Sequence, residues 1–166
     1  MTQLRPFSPA VFIDRDGVII HNRPEYVRSL KQVILYPRSI QALARLAASR
    51  YKIVIVTNQA GVGEGLIAIE PAEEINRRVV EAITGAGGRV DGVYVCPHTR
   101  EDRCSCRKPE PGLLTRAAGE LGLDLAASFM VGDALSDIAA GQRAGVKQAI
   151  LLLTGRGRKQ RQLASK

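Results

Sequence analysis

Five short stretches of this chain are apolar at every position rather than at every second one: Ala10-Val11-Phe12-Ile13, Ile53-Val54-Ile55-Val56, Val93-Tyr94-Val95, Phe129-Met130-Val131 and the run from Ala149 to Leu153. A strand with one face in water alternates apolar and polar side chains. An unbroken run needs cover on both faces, as in a parallel sheet between helices. The intervening segments supply that cover. Ile40, Leu43, Ala44 and Ala47 recur at helical spacing, as do Ile75, Val79 and Ile83, and Leu113, Leu114, Ala117, Ala118 and Leu121. Pro71, followed by Glu73 and Glu74, suits the opening of the second of these helices, and Gly122 the close of the third. A fourth helix is expected from Ser136 or Asp137 to near Gly145. The order β-α-β-α-β-α-β-α-β predicts an α/β fold, a single open, doubly wound, Rossmann-like and mainly parallel sheet.

The chain of 166 residues, 45% of them hydrophobic, is long enough for one well-filled core and too short for two comfortable ones. No apolar run approaches the roughly 20 residues that a membrane-spanning helix needs. Residues Met1 to Pro6 lack the apolar stretch of a secretory signal, so we expect a soluble cytoplasmic monomer. The net charge is +8, and five of the cations, Arg156, Arg158, Lys159, Arg161 and Lys166, follow Gly155 with no acid among them. The expected organisation is a domain over 1–154 and a solvated, mobile basic tail over 155–166. Aromatic residues are only 4% and Trp is absent, which leaves few surfaces on which bases could stack. A nucleic-acid partner is therefore not expected, and the rival reading needs the tail to grip a phosphate backbone.

In open α/β sheets ligands bind beyond the carboxyl ends of the strands. The first run ends in Asp14-Arg15-Asp16-Gly17, the second in Thr57-Asn58-Gln59, and the fourth in Gly132-Asp133 with Asp137 a turn later; Arg107-Lys108-Pro109 precedes the third helix. An Asp after a strand is often only a turn former or a helix cap. Four distant segments that bring carboxylates, a hydroxyl and a lysine to one edge weaken that bland reading. Close carboxylates repel and need a cation, and Mg²⁺ prefers oxygen ligands. Mg²⁺, a lysine and hydroxyl donors suit phosphoryl transfer, in which a carboxylate can be the nucleophile.

All three cysteines lie beside one of the two histidines, as Cys96-Pro97-His98 and Cys104-Ser105-Cys106. Three Cys and one His form a common tetrahedral Zn²⁺ set that leaves no open position, hence a structural role. A disulfide would leave one thiol over and is out of place in a cytosolic chain. Idle thiols are the plain alternative.

Asp14-Arg15-Asp16-Gly17-Val18, Val56-Thr57-Asn58-Gln59, Lys108-Pro109 and Gly132-Asp133 with Asp137 together resemble the four motifs of the haloacid dehalogenase superfamily. The run Thr57 to Val62, Cys96-Pro97-His98 and Cys104 to Gly112 are similar to its histidinol-phosphatase-like branch, which carries such a zinc loop and lacks a large cap domain. The resemblance implies an Mg²⁺-dependent phosphomonoester hydrolase. Asp14 would be nucleophile and metal ligand, and Asp16 general acid and base, with its backbone carbonyl on the metal. Thr57, Asn58 and Gln59 would hold the substrate with Arg107, and Lys108 would offset charge. Asp133 would complete the metal site, and Asp137 would orient Lys108 or the waters of the metal. The implied substrate is a small phosphorylated metabolite, first a heptose 1,7-bisphosphate and second histidinol phosphate; a nucleic-acid 3′-phosphate is a third. Glu64 and Ala134 stand where related enzymes often carry basic residues, so Arg107, Arg15 and Arg100 become the candidates to neutralise a second phosphate.

Overall fold

In the computed structural model, which describes residues 7–164, the central strand is β1 (Ser8–Ile13). There follow α1 (Pro37–Leu46), β2 (Lys52–Asn58), a short α2 (Ala60–Gly63), α3 (Ile69–Gly85) and β3 (Gly92–Cys96), then α4 (Gly112–Leu121), β4 (Leu123–Gly132), α5 (Leu135–Ala144), β5 (Gln148–Leu151) and α6 (Gly157–Ala164). The strands lie in the order β3-β2-β1-β4-β5, all parallel. β1 therefore has β2 on one side and β4 on the other. This is where the strand order reverses, and where a doubly wound sheet opens a crevice.

The unbroken apolar runs split by parity, as side chains on a strand must. Val11, Ile13, Ile53 and Ile55 face one layer, packed with Leu43 of α1 and with Ile75, Val79 and Ile83 of α3. Ala10, Phe12, Val54 and Val56 face the other, with Leu113, Leu114 and Ala117 of α4 and Ala140 of α5. Each fully buried isoleucine contributes roughly 1.5–3 kcal/mol. Two such layers fix the β1 and β2 ends, and with them the residues just beyond.

Three elements depart from the sequence-based expectation. β5 is an edge strand with Ile150 37% exposed, so its apolar run is not covered on both faces. α3 starts at Ile69, two residues before Pro71; the first turn leaves its N–H groups unbonded anyway, so a proline there removes nothing. Finally, the segment after residue 154 folds back on the sheet edge. Thr154 Oγ1 donates to Gly17 O at 2.7 Å, the Arg156 N–H donates to Asp133 Oδ2 at 2.7 Å, and Gln160 Oε1 accepts the Leu135 N–H at 3.0 Å. The basic tail thus carries α6 and is tied down at its start. No large insertion interrupts the sheet: between β1 and α1 there is one 3₁₀ turn, Leu30–Gln32, and between β2 and α3 only α2. Among the described residues no helix is long and apolar enough to cross a membrane.

Candidate active site

Asp14 follows β1 directly, and its N–H donates to Val131 O of β4 at 2.9 Å. Lys108, in the loop before α4, reaches across to it. Lys108 Nζ lies 2.8 Å from Asp14 Oδ1, 2.7 Å from Asp137 Oδ1 and 2.8 Å from Val56 O, so all three ammonium donors are satisfied below the surface. Asp137 uses its other oxygen to accept the Ala134 N–H at 3.1 Å and so closes the first turn of α5. That approach requires glycine at 132, where a Cβ would stand 2.2 Å from the Asp137 carboxylate. Gly17, at φ +86°, has the same importance on the other side, since a Cβ there would stand 2.1 Å from Asp133 Oδ2.

Asp14, Asp133 and Asp137 each offer an oxygen within 4.8 Å of the others, and all three are buried. Burial pushes the Asp14 carboxyl up to about 7; Lys108 opposes this, while Asp137 and Asp16 add to it. Burial also raises Asp133, against the pull of Arg156. Lys108 is likewise buried, which opposes its charge, but Asp137 and Asp14 outweigh that and hold it well above the ordinary lysine value. Three buried carboxylates face two cations, Lys108 against Asp14 and Asp137 and Arg156 against Asp133, which leaves an excess of negative charge, and hard oxygen donors in that arrangement fit Mg²⁺. One hydroxyl at the next strand end is also unspent. Thr57 Oγ1 is buried and has no hydrogen-bond partner, the one such side-chain atom among the described residues. A donor left in that state suits a ligand oxygen.

Other expected residues have more specific tasks. The Asn58 amide exchanges two hydrogen bonds with the Lys108 backbone, Nδ2 to Lys108 O at 2.9 Å and Lys108 N to Oδ1 at 3.0 Å. It positions the lysine loop. Gln59 borders the crevice, yet its Nε2 donates to Asn76 Oδ1 at 3.0 Å. Arg107 also borders the crevice and donates to His98 O at 3.1 Å. Arg15 is buried and committed to Asp16 and Asn76, which removes it from the candidates for a second phosphate. Glu64 accepts a 2.8 Å hydrogen bond from Tyr26 OH.

Asn76 and Arg156 have no role in the sequence reading, which offers Arg15 for a second phosphate rather than for the Asp16 and Asn76 contacts it makes. Arg15 has a visible signal, because it continues the Val11, Ile13 parity toward α3. So does Asn76, a polar residue three before Val79 on the core face of its helix. Arg156 has none, being one cation among several in a polar tail.

The cysteine cluster lies beside the lysine loop. Cys96 Sγ is 3.6 Å from His98 Nδ1, 3.6 Å from Cys104 Sγ and 3.1 Å from Cys106 Sγ; Cys106 Sγ is 3.5 Å from Cys104 Sγ and 3.2 Å from His98 Nδ1. Metal–sulfur bonds of about 2.3 Å and metal–nitrogen bonds of about 2.0–2.1 Å put tetrahedral ligands roughly 3.5–3.8 Å apart. The donor set is therefore already near the spacing that Zn²⁺ imposes. Burial pushes the Cys96 and Cys106 thiols up. Burial opposes ionisation of Cys104 too, but hydrogen bonds from Cys106, the Arg107 N–H and Cys96 bring it down to about 7. Only a cation would let all three ionise together.

Above this floor opens a crevice of about 1340 Å³ bordered by Asp16 and Lys108 and by Arg23, Arg100, Arg103, Arg107 and Arg143. A basic mouth over an acidic, lysine-bridged floor defines a hydrolase-type site for anionic phosphate compounds. The HAD-hydrolase-like family model matches residues 105–166. A D-glycero-β-D-manno-heptose-1,7-bisphosphate 7-phosphatase of Neisseria meningitidis is 36% identical over 149 residues, covering 90% of this chain and 79% of that one. Its counterpart from Pseudomonas aeruginosa is 37% identical over 147 residues, covering 89% and 82%. A crystal structure of D,D-heptose 1,7-bisphosphate phosphatase from B. bronchiseptica, complexed with magnesium and phosphate, superposes with a TM-score of 0.88 at 37% identity over 95% of this chain and 87% of that one. The chain belongs to the haloacid-dehalogenase-like hydrolases, among the heptose bisphosphate phosphatases, and is a phosphatase.

Proposed function

We propose that this enzyme removes the 7-phosphate of D-glycero-D-manno-heptose 1,7-bisphosphate through a covalent phosphoryl intermediate on Asp14, as a monomer and without nucleic acid. The carrying observation is the buried Asp14–Lys108–Asp137 constellation at the point where the strand order reverses. The relatives at 36–37% identity supply the substrate. Asp14, Asp133 and the Asp16 carbonyl would hold Mg²⁺, with Asp137 beside them. Bound there, the cation supplies charge neutralisation for the phosphate and the carboxylates.

Lys108 holds the Asp14 carboxylate by one oxygen and neutralises part of its charge, which lets it approach an anionic phosphate. Thr57 Oγ1 donates to a phosphoryl oxygen. As the Asp14 oxygen bonds to phosphorus and the P–O bond to the sugar breaks, the Asp16 carboxyl gives its proton to the departing alkoxide. Asp16 then takes a proton from water as that water attacks phosphorus and frees Asp14. Cys96, His98, Cys104 and Cys106 would hold Zn²⁺ as a structural ion, fixing the loop that carries Arg107 and Lys108. Of the three arginines expected to meet the second phosphate, Arg100 and Arg107 border the crevice without the commitment that holds Arg15, and they take that role.

Steady-state constants with Mg²⁺ on heptose 1,7-bisphosphate, histidinol phosphate and an oligonucleotide 3′-phosphate test the reading. We expect the highest kcat/KM on the heptose bisphosphate, with only the 7-phosphate lost. A preference for either of the others overturns the substrate assignment.

A further inference from the structure

Neighbouring side chains at a strand end normally diverge, yet those of Arg15 and Asp16 meet. The turn at Gly17 curls the chain back so that the Ile19 and Ile20 N–H groups both donate to Arg15 O, at 2.9 and 3.1 Å. Asp16 is thereby folded over the Arg15 guanidinium. Nε and Nη2 of Arg15 both converge on Asp16 Oδ2, at 3.0 and 2.8 Å, and Oδ1 takes no part in the pair. The far side of the guanidinium is fixed as well, since Nη1 donates to Asn76 Oδ1 at 2.7 Å. The same Asn76 oxygen accepts Gln59 Nε2 at 3.0 Å. The side chain of Arg15 is 5% exposed and that of Asp16 is 21% exposed. A buried guanidinium with a partner at each of its three nitrogens therefore stands behind a carboxyl that reaches the crevice, and α3 and the end of β2 brace it from behind.

We infer that Arg15, braced by Asn76, is a positioning residue that presents Asp16 to the leaving-group oxygen. A two-pronged grip on Oδ2 fixes the rotation of the carboxyl and leaves Oδ1 as the oxygen that carries the transferable proton. A guanidinium can do this because its fork is planar and rigid, whereas a lysine ammonium is a point charge on a flexible stem. The inference rests on the reading of Asp16 as the general acid, and it says which groups make Asp16 effective.

Leaving-group dependence tests it. A primary alkoxide needs a proton to depart, whereas a nitrophenolate does not. kcat/KM for p-nitrophenyl phosphate and for heptose 1,7-bisphosphate would be measured for the wild type, Arg15→Lys, Asn76→Ala and Asp16→Asn. General acid catalysis is worth about 10²–10⁴-fold. Asp16→Asn should lower the alkyl-to-aryl ratio of kcat/KM by that amount. Arg15→Lys should lower the same ratio by at least about tenfold, a part of the acid's full contribution. Asn76→Ala should move it in the same direction by less, and covers the case in which the arginine variant fails to fold. A residue that merely supports the fold would reduce both substrates alike. If Asp16→Asn lowers the ratio while Arg15→Lys and Asn76→Ala leave it at the wild-type value, the inference about Arg15 is overturned. If Asp16→Asn itself leaves the ratio unmoved, the acid has been misassigned and the inference goes with it.

Discussion

Lys108 commits its three N–H donors to two carboxylates and a carbonyl; without it the carboxylates would repel and the Val56 carbonyl would lose its donor. Lys108→Met is expected to destabilise the metal-free protein by about 3–5 kcal/mol, because removing one partner of a buried ion cluster strands the others. Denaturant unfolding in the presence of a chelator measures this. Asp14→Asn has the opposite character. It removes a carboxyl that burial holds at about 7 and leaves Lys108 paired with Asp137. Phosphate release should fall by a factor on the order of 10⁶, as for loss of other nucleophiles, while the melting temperature holds or rises. Both Asp14 and Lys108 are legible from residue type and position. The family resemblance also implied Asp137 beside Lys108; the third partner, the Val56 carbonyl, is not legible, because a hydrogen bond from a loop to a strand 52 residues away has no sequence spacing.

At the scale of elements, one tie closes the amino ends of β2 and β3, at the end of the sheet opposite the site, and a second borders the site itself. Asp91, just before β3, accepts the Ile53 N–H at 2.8 Å, Lys52 Nζ at 3.0 Å and Arg89 Nε at 3.0 Å. Burial alone would raise its carboxyl, but these donors outweigh burial and hold it below its ordinary value. A depressed carboxyl stabilises the fold above its unfolded-state value, and that contribution is lost as pH falls through the folded one. Asp91→Asn should therefore cost about 1–3 kcal/mol at neutral pH. The gap to the wild type should close in acid below the ordinary carboxylate range, as followed by unfolding at stepped pH. The second tie is the cysteine loop. Cys106→Ser is expected to abolish stoichiometric Zn²⁺ in elemental analysis, speed proteolysis near residue 100 and raise KM more than it lowers kcat, because the crevice arginines ride on that loop. Full turnover without Zn²⁺ would separate the loop from the site. Helix positions followed from apolar spacing and from the glycines at 122 and 145, which lie at φ +63° and +77° as helix ends require. The start of α3 was less legible, because a proline is tolerated anywhere in the first turn.

Across the whole molecule, the C-terminal segment completes the sheet edge. Thr154 and Arg156 bind Gly17 and Asp133, so the last element braces the loop after the first strand. A chain ended after Thr154 should melt several degrees lower and bind Mg²⁺ more weakly in calorimetric titration, because Asp133 loses both the N–H and the guanidinium of Arg156. Retained affinity would show that Asp133 needs no such support. The unbroken apolar runs, their helical partners and the acids that follow them were enough to determine a parallel doubly wound sheet and the edge at which the carboxylates gather. These are local properties, since side-chain periodicity and composition are written along the chain. Tertiary structure alone decided that Asn58 serves Lys108, that β5 is an exposed edge, and that the basic tail returns to Asp133. Each depends on which distant backbone groups meet once the strands take the order β3-β2-β1-β4-β5, and contact across that distance leaves no period in a sequence.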